Sequence, residues 1–141
     1  MCDTKLSEPN EDINSVPKEN IGRHQKFFDL AQKLSMKSAY YQQLGAVIVQ
    51  KSKILGVGFN KPNKTHVKSN TPYKTIHAEL DAILSASFNN LTGATIYVYR
   101  QHRNGALAMS KPCKYCLHML AAYGIRTIYY TTEGGYCKES L

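Results

Sequence analysis

Residues 94–132 read ATIYVYRQHRNGALAMSKPCKYCLHMLAAYGIRTIYYTT, and no other stretch of the 141-residue chain limits its architecture as much. ATIYVY, at 94–99, and IRTIYYTT, at 125–132, are rich in β-branched and aromatic residues and read as strands. Between them, CKYCLHMLAAYG reads as a buried helix ended by Gly124. A helix between two strands is a crossover, and crossovers of this length connect parallel strands. The chain must therefore build a sheet that helices cover.

The residues before this unit extend the same plan. After Gly22, RHQKFFDLAQKLSMKSAYY puts Phe27, Leu30, Ala31, Leu34 and Ser38 at helical spacing, with Lys26, Lys33 and Lys37 elsewhere on the wheel. GAVIVQKSKILGVGFN gives two strands, 46–49 and 54–59, on either side of a polar turn. Residues 60–76 hold two prolines, three asparagines and four lysines and read as a loop. HAELDAILSASF, from His77, suits a well-buried helix that stops at Asn89-Asn90 and Gly93. The order helix, strand, strand, helix, strand, helix, strand predicts a three-layer α/β/α domain around a central mixed sheet. It occupies residues 21–141, without internal repeats. Residues 1–20 carry five acids, two lysines and two prolines with few apolar side chains, and are expected to be a flexible acidic tail.

No apolar run approaches 18 residues and no signal-peptide core is present, so a soluble, cytoplasmic protein without a membrane span is expected. The chain carries 18 basic and 10 acidic residues, and setting the acidic tail aside leaves the other 121 residues with a net charge of +11. That excess favours a phosphate-bearing partner.

Four cysteines in a reducing compartment argue against a disulfide framework, and Cys2 and Cys137 are read as bystanders. Cys113 and Cys116 differ. Both fall in the first turn of a helix, where free N–H groups and the helix dipole favour thiolates. Such a pair suits redox work, a structural metal or a catalytic metal. A thioredoxin-like reading is weakened by the pair's late place in the fold. A second helix start offers His77 and Glu79, and loops at the strand ends of parallel α/β sheets converge on one crevice. His77, Cys113 and Cys116 then make three zinc ligands and leave the fourth tetrahedral position open, as in catalytic sites. His66, Cys137 and His118 are the candidates to close it, though His118, two residues past Cys116, is pointed elsewhere by the helix. Two thiolates cancel the formal charge of Zn2+, so activating water calls for a nearby base, and Glu79 is suitably placed in sequence. An isolated glutamate at a helix start would otherwise be read as stabilised by the dipole.

His77-Ala78-Glu79 followed by Pro112-Cys113-Lys114-Tyr115-Cys116 matches the H-x-E, P-C-x-x-C signature of zinc deaminases. From about residue 23 to 132 the chain resembles the cytidine deaminase-like superfamily, and most closely its deoxycytidylate deaminase branch. HAELDAIL is similar to that branch's helix motif, GATIYV to its following strand, and LGAVIV with GVGFNKP to its opening hairpin and asparagine-bearing loop. The resemblance implies hydrolytic deamination of a cytosine nucleotide, most readily dCMP to dUMP, by zinc-bound hydroxide with Glu79 as proton shuttle. It implies that Asn60 meets the substrate sugar and that the Ala78 N–H meets the base carbonyl. It also implies a homo-oligomer.

One departure stands out. In relatives the strand runs almost directly into the Pro-Cys motif, whereas here residues 100–111 intervene. Arg100 and Arg103 in this segment are candidates for phosphate binding, since guanidinium groups bind phosphate in a bidentate way. The second zinc-binding His and Cys set that some deoxycytidylate deaminases carry is not visible. Two other readings stand beside the nucleotide enzyme. A deaminase of single-stranded DNA or RNA would use Lys61, Lys64, Lys68, Lys74, Arg100 and Arg103. A zinc-stabilised binding module would lack catalysis.

Overall fold

The computed structural model describes residues 22–62, 75–87 and 89–141. The predicted tail and most of the lysine-rich loop, with Lys64, His66, Lys68 and Lys74, lie outside the described residues. Eight elements follow in chain order: α1 (Gly22–Ser35), β1 (Leu44–Gln50), β2 (Lys53–Phe59), α2 (Ala78–Ala86), β3 (Thr95–Arg100), α3 (Lys114–Ala122), β4 (Thr127–Thr132) and β5 (Gly135–Ser140). The strands form one sheet in the order β2-β1-β3-β4-β5.

Strand alternation divides the apolar residues between two faces. Val47, Val49, Tyr97, Tyr99 and Tyr129 face α1 and pack on Phe27, Phe28, Ala31 and Leu34. Ala46, Ile48, Ile96, Val98, Ile128 and Tyr130 face the opposite way, toward α2 and α3. The register aligns Val47 with Tyr97 and Tyr97 with Tyr129 on one face, and Ile48 with Ile96 and Ile96 with Ile128 on the other. Both faces are covered, which is why the central strands are apolar almost continuously rather than alternating. This is the expected three-layer α/β/α arrangement around a mixed sheet. β3 and β4 pair in parallel across the α3 crossover. β2 and β3 also run in the same direction, with β1 antiparallel between them. The carboxyl ends of β2 and β3, and hence the starts of α2 and α3, therefore share one end of the sheet.

The tight hairpin turn that the sequence predicts joins β1 and β2, with Gln50 and Lys53 paired as the ends of the strands. Lys51 and Ser52 alone form it, both with positive φ (52° and 66°), the geometry that matches the twist of a two-residue loop. α1 is shorter than predicted and ends at Ser35. Ser38 is buried because its hydroxyl donates to the Asn60 carbonyl (2.7 Å), not because it continues the helix. β5 is an addition. GYCKES is mostly polar because it forms a sheet edge, so it carries no apolar signature. Cys137 on β5 is buried and disulfide-bonded, which runs against the expectation that the cysteines stay free of disulfides. Among the described residues no helix is long and apolar enough to cross a membrane.

Candidate metal and catalytic site

The two helix starts at the shared end of the sheet carry the predicted ligands. His77 is the N-cap of α2 and Cys113 the N-cap of α3, both with extended backbone and neither using its side chain as a cap. Cys116 lies three residues on, where the helical period returns it to the same side as Cys113. His77 Nδ1 is 3.3 Å from Cys116 Sγ and 3.9 Å from Cys113 Sγ. All three donor atoms lie within 4.8 Å of one another. Donors at zinc bond lengths in a tetrahedral set are separated by ~3.5 Å for nitrogen to sulfur and ~3.8 Å for sulfur to sulfur, so these residues fit such an ion.

The electrostatics suit a cation. Hydrogen bonding from Cys116 is the main force lowering the Cys113 pKa to about 4, and contact with His77 adds to it. Hydrogen bonding to Cys113, together with burial, pushes Cys116 up. The pair thus shares one proton, with Cys113 as its thiolate end. A divalent cation held by His77, Cys113 and Cys116 would replace that proton, since such ions bind thiolates rather than thiols. Among the described residues no fourth side chain joins the group. His118 is exposed on the outside of α3, and Cys137 is already disulfide-bonded.

Glu79 lies two residues into α2 and is only 3% exposed. Burial raises its carboxyl pKa above the ordinary range, against the opposing pull of its own backbone N–H and of His77. A carboxyl tuned upward can both take and return a proton near neutrality.

A cavity of about 540 Å3 opens beside these groups, lined in part by His77, Ala78, Glu79 and Cys113. That size is ordinary for a small-molecule site. Asn60 and Arg100 line the same cavity. Asn60 is buried and holds the chain before β1 in place: its Nδ2 donates to the Gln42 carbonyl (2.6 Å), and its Oδ1 accepts from the Leu44 N–H (2.9 Å). Arg100 Nη1 donates to the Met109 carbonyl at 3.1 Å. Arg103 is not brought to the cavity. A bridge from Gln101 to Leu107 folds the inserted segment into a hairpin, and Arg103 is exposed near its tip.

The cavity also contains residues that the sequence did not single out: Tyr40, Tyr41, Gln42 and Lys111. Reading residues 23–41 as one helix hid the first two. The available signal was topological: Leu44 opposes Arg100 across antiparallel β1 and β3, so the segment entering β1 must lie at the end where β3 leaves.

Residues 21–132 match the family described as the cytidine and deoxycytidylate deaminase zinc-binding region. The chain belongs to that zinc-binding deaminase family and is a hydrolase of the deaminase class. Deoxycytidylate deaminase of Mycobacterium phage D29 is 28% identical over 111 residues, covering 64% of this chain and 79% of that protein. A probable deoxycytidylate deaminase of Caenorhabditis elegans is 27% identical over 124 residues, covering 79% of this chain but only 58% of that protein. Two solved structures share the fold. The dCMP deaminase of cyanophage S-TIM5 has a TM-score of 0.59 at 24% identity, covering 82% of this chain and 84% of that one. Cytidine deaminase from Burkholderia pseudomallei has a TM-score of 0.64 at 20% identity, covering 83% and 91%.

Proposed function

We propose that this chain hydrolyses the 4-amino group of a cytosine nucleotide, with dCMP as the preferred substrate and dUMP and ammonia as products. The observation that carries the reading is the buried Glu79 carboxyl on the wall of the cavity that His77 and Cys113 also line. His77, Cys113 and Cys116 would hold zinc, which when bound supplies a Lewis acid and brings the pKa of a water toward neutrality. Glu79 takes a proton from the attacking water and passes it to N3 of the base. It then takes the remaining proton from the new C4 hydroxyl and delivers it to the 4-amino nitrogen, so that the C4 carbonyl forms as the C4–N bond breaks. Balance is kept: one water is consumed and one ammonia leaves.

Other residues orient the substrate. The Ala78 N–H is assigned to the base carbonyl. Asn60 spends one amide N–H on Gln42 and keeps a second for a sugar hydroxyl. Arg100 is assigned to the phosphate, since among the described residues one of its five N–H donors is taken, by the Met109 carbonyl. Arg103 would act only from outside the cavity. A homo-oligomer is retained as part of this reading, and light scattering on the purified protein tests it.

A second reading keeps the chemistry and changes the substrate to single-stranded nucleic acid. Tyr41 is 73% exposed at the cavity, its ring tilted by 38° against that of Tyr40 with centroids 4.7 Å apart, and it offers an aromatic face to a neighbouring base. Ammonia release from dCMP, dCTP, cytidine, deoxycytidine and cytosine-bearing oligonucleotides separates the two. Turnover of dCMP above the others supports the nucleotide reading, and turnover of oligonucleotides alone replaces it with the second.

A further inference from the structure

The inserted segment 100–111 brings two cations to the lining of the cavity. Its return is fastened to the sheet: the Ala108 N–H donates to the Arg100 carbonyl (3.0 Å), and the Ser110 N–H to the Thr131 carbonyl (2.9 Å). The buried Thr131 hydroxyl lies 2.7 Å from the Ala108 carbonyl and 2.9 Å from the Ser110 hydroxyl. This lacing holds Arg100 and Lys111, eleven positions apart in sequence, both in the lining of the cavity. Their electrostatic situations differ. Among the described residues no carboxylate pairs with Arg100. Lys111 Nζ lies 2.9 Å from Glu139 Oε2 and 3.2 Å from Oε1. Glu139 is fixed from behind by the Tyr130 hydroxyl, which donates to its Oε2. Glu139 is itself outside the cavity lining.

We infer that Lys111 is a second anion-binding residue of the cavity and that Glu139, acting through it from β5, limits how strongly the cavity attracts phosphate. The inference deepens the proposed nucleotide reading and rests on it for its kinetic readout. An ammonium has three donors, and a partner that occupies only one side of it leaves the others for a ligand. Glu139 both aims Lys111 and offsets its charge, so the lining carries a net charge near +1 rather than +2. Such a lining holds a phosphate monoester well enough to bind it and weakly enough to release it. Glu139 is thus a positioning residue, and its effect must pass through Lys111.

The experiment measures the ratio of kcat/KM for dCMP to that for deoxycytidine in zinc-loaded wild type, Lys111→Met, Glu139→Gln and the double variant. Losing a charge-assisted contact lowers the ratio about 10-fold in Lys111→Met. Freeing the ammonium raises it about 3-fold in Glu139→Gln. In the Lys111→Met background, Glu139→Gln moves it no further. A merely structural Glu139 would change both substrates together and leave the ratio alone, and that result overturns the inference. So does an equal effect of Glu139→Gln with and without Lys111. Calorimetric titration with inorganic phosphate gives a readout independent of turnover. If no cytosine compound is deaminated but phosphate binding weakens about 10-fold in Lys111→Met and tightens in Glu139→Gln, the anion site stands and the nucleotide reading falls. If dCMP is turned over and neither variant alters phosphate binding, the inference alone falls.

Discussion

Placing a methyl group on Gly58 tests how the fold sets the site. Gly58 lies on β2 opposite Ala46, directly under α2. A Cβ built there would sit 2.4 Å from the Ala82 nitrogen, 2.6 Å from the Ala78 carbonyl oxygen and 2.8 Å from the Asp81 carbonyl carbon. All three atoms are α2 backbone, so no rotamer change relieves the contact. Ordinary van der Waals contact begins at 3.4 Å, and α2 must therefore lift by about 1 Å to restore it. Overpacking of this kind costs about 1–3 kcal/mol, which for a domain of this size lowers Tm by roughly 4–12 °C. α2 carries His77 and Glu79, whereas Cys113 and Cys116 stay on α3. A shift of about 1 Å between the two sets should lower kcat/KM by roughly 100-fold and weaken zinc retention. Gly58→Ala is compared with Gly22→Ala, where a Cβ meets nothing within 4 Å. The measurements are thermal denaturation by circular dichroism, zinc per chain after dialysis, and ammonia release. If Gly58→Ala lowers Tm yet retains full zinc and full rate, close packing of α2 on β2 is not what aligns the ligands.

Glu79→Gln is expected to lower kcat by about 10^2–10^4-fold while keeping zinc. Its Tm should equal or exceed that of wild type, because a neutral amide avoids the burial that disfavours the carboxylate; a full rate in this variant would remove Glu79 from the mechanism and revive the non-catalytic binding module. Asn60→Ala unties residues 42–44 by removing two hydrogen bonds from a buried side chain, and a loss of about 1–3 kcal/mol should be read in urea denaturation, with a raised KM for nucleotide. Glu139 gives a pH prediction. Burial alone would raise its pKa, but the Tyr130 hydroxyl and the Lys111 ammonium outweigh that and hold it below the ordinary carboxylate range. Its contribution to stability is therefore fully present above the unfolded value of about 4.3 and is lost as pH falls through the lowered folded value. The urea midpoints of wild type and Glu139→Gln should converge as the pH is taken down from 6, and a constant gap would contradict the assignment.

The parts of this molecule that were legible in its sequence are those whose signal is local. His77, Glu79, Cys113 and Cys116 sit at helix starts, where short spacing and residue chemistry coincide. The apolar strands also declare themselves, because a sheet covered on both faces leaves little room for polar residues. β5 does not, since GYCKES is held by pairing to β4 rather than by burial of an apolar face. Lys111 carries no signal of its own because its meaning depends on Glu139, 28 residues away on β5. Arg103, close to Arg100 in sequence, was grouped with it, yet the hairpin between Gln101 and Leu107 separates the two in space. Tyr40 and Tyr41 were absorbed into a helical pattern that stops at Ser35, where the chain turns to be tied down by Ser38 and Asn60. Long-range register, not residue type, decided each of these cases.

X-ray absorption at the zinc edge on the purified, zinc-loaded protein examines the ligand set without reference to any substrate. Two sulfur scatterers at ~2.3 Å, with a histidine nitrogen and one further light atom at ~2.0–2.1 Å, are the expected first shell. Cys116→Ser should reduce the sulfur count to one or abolish binding. A shell of four sulfurs, a shell with none, or a folded and active protein that contains no zinc would contradict the claim that His77, Cys113 and Cys116 hold the metal beside Glu79.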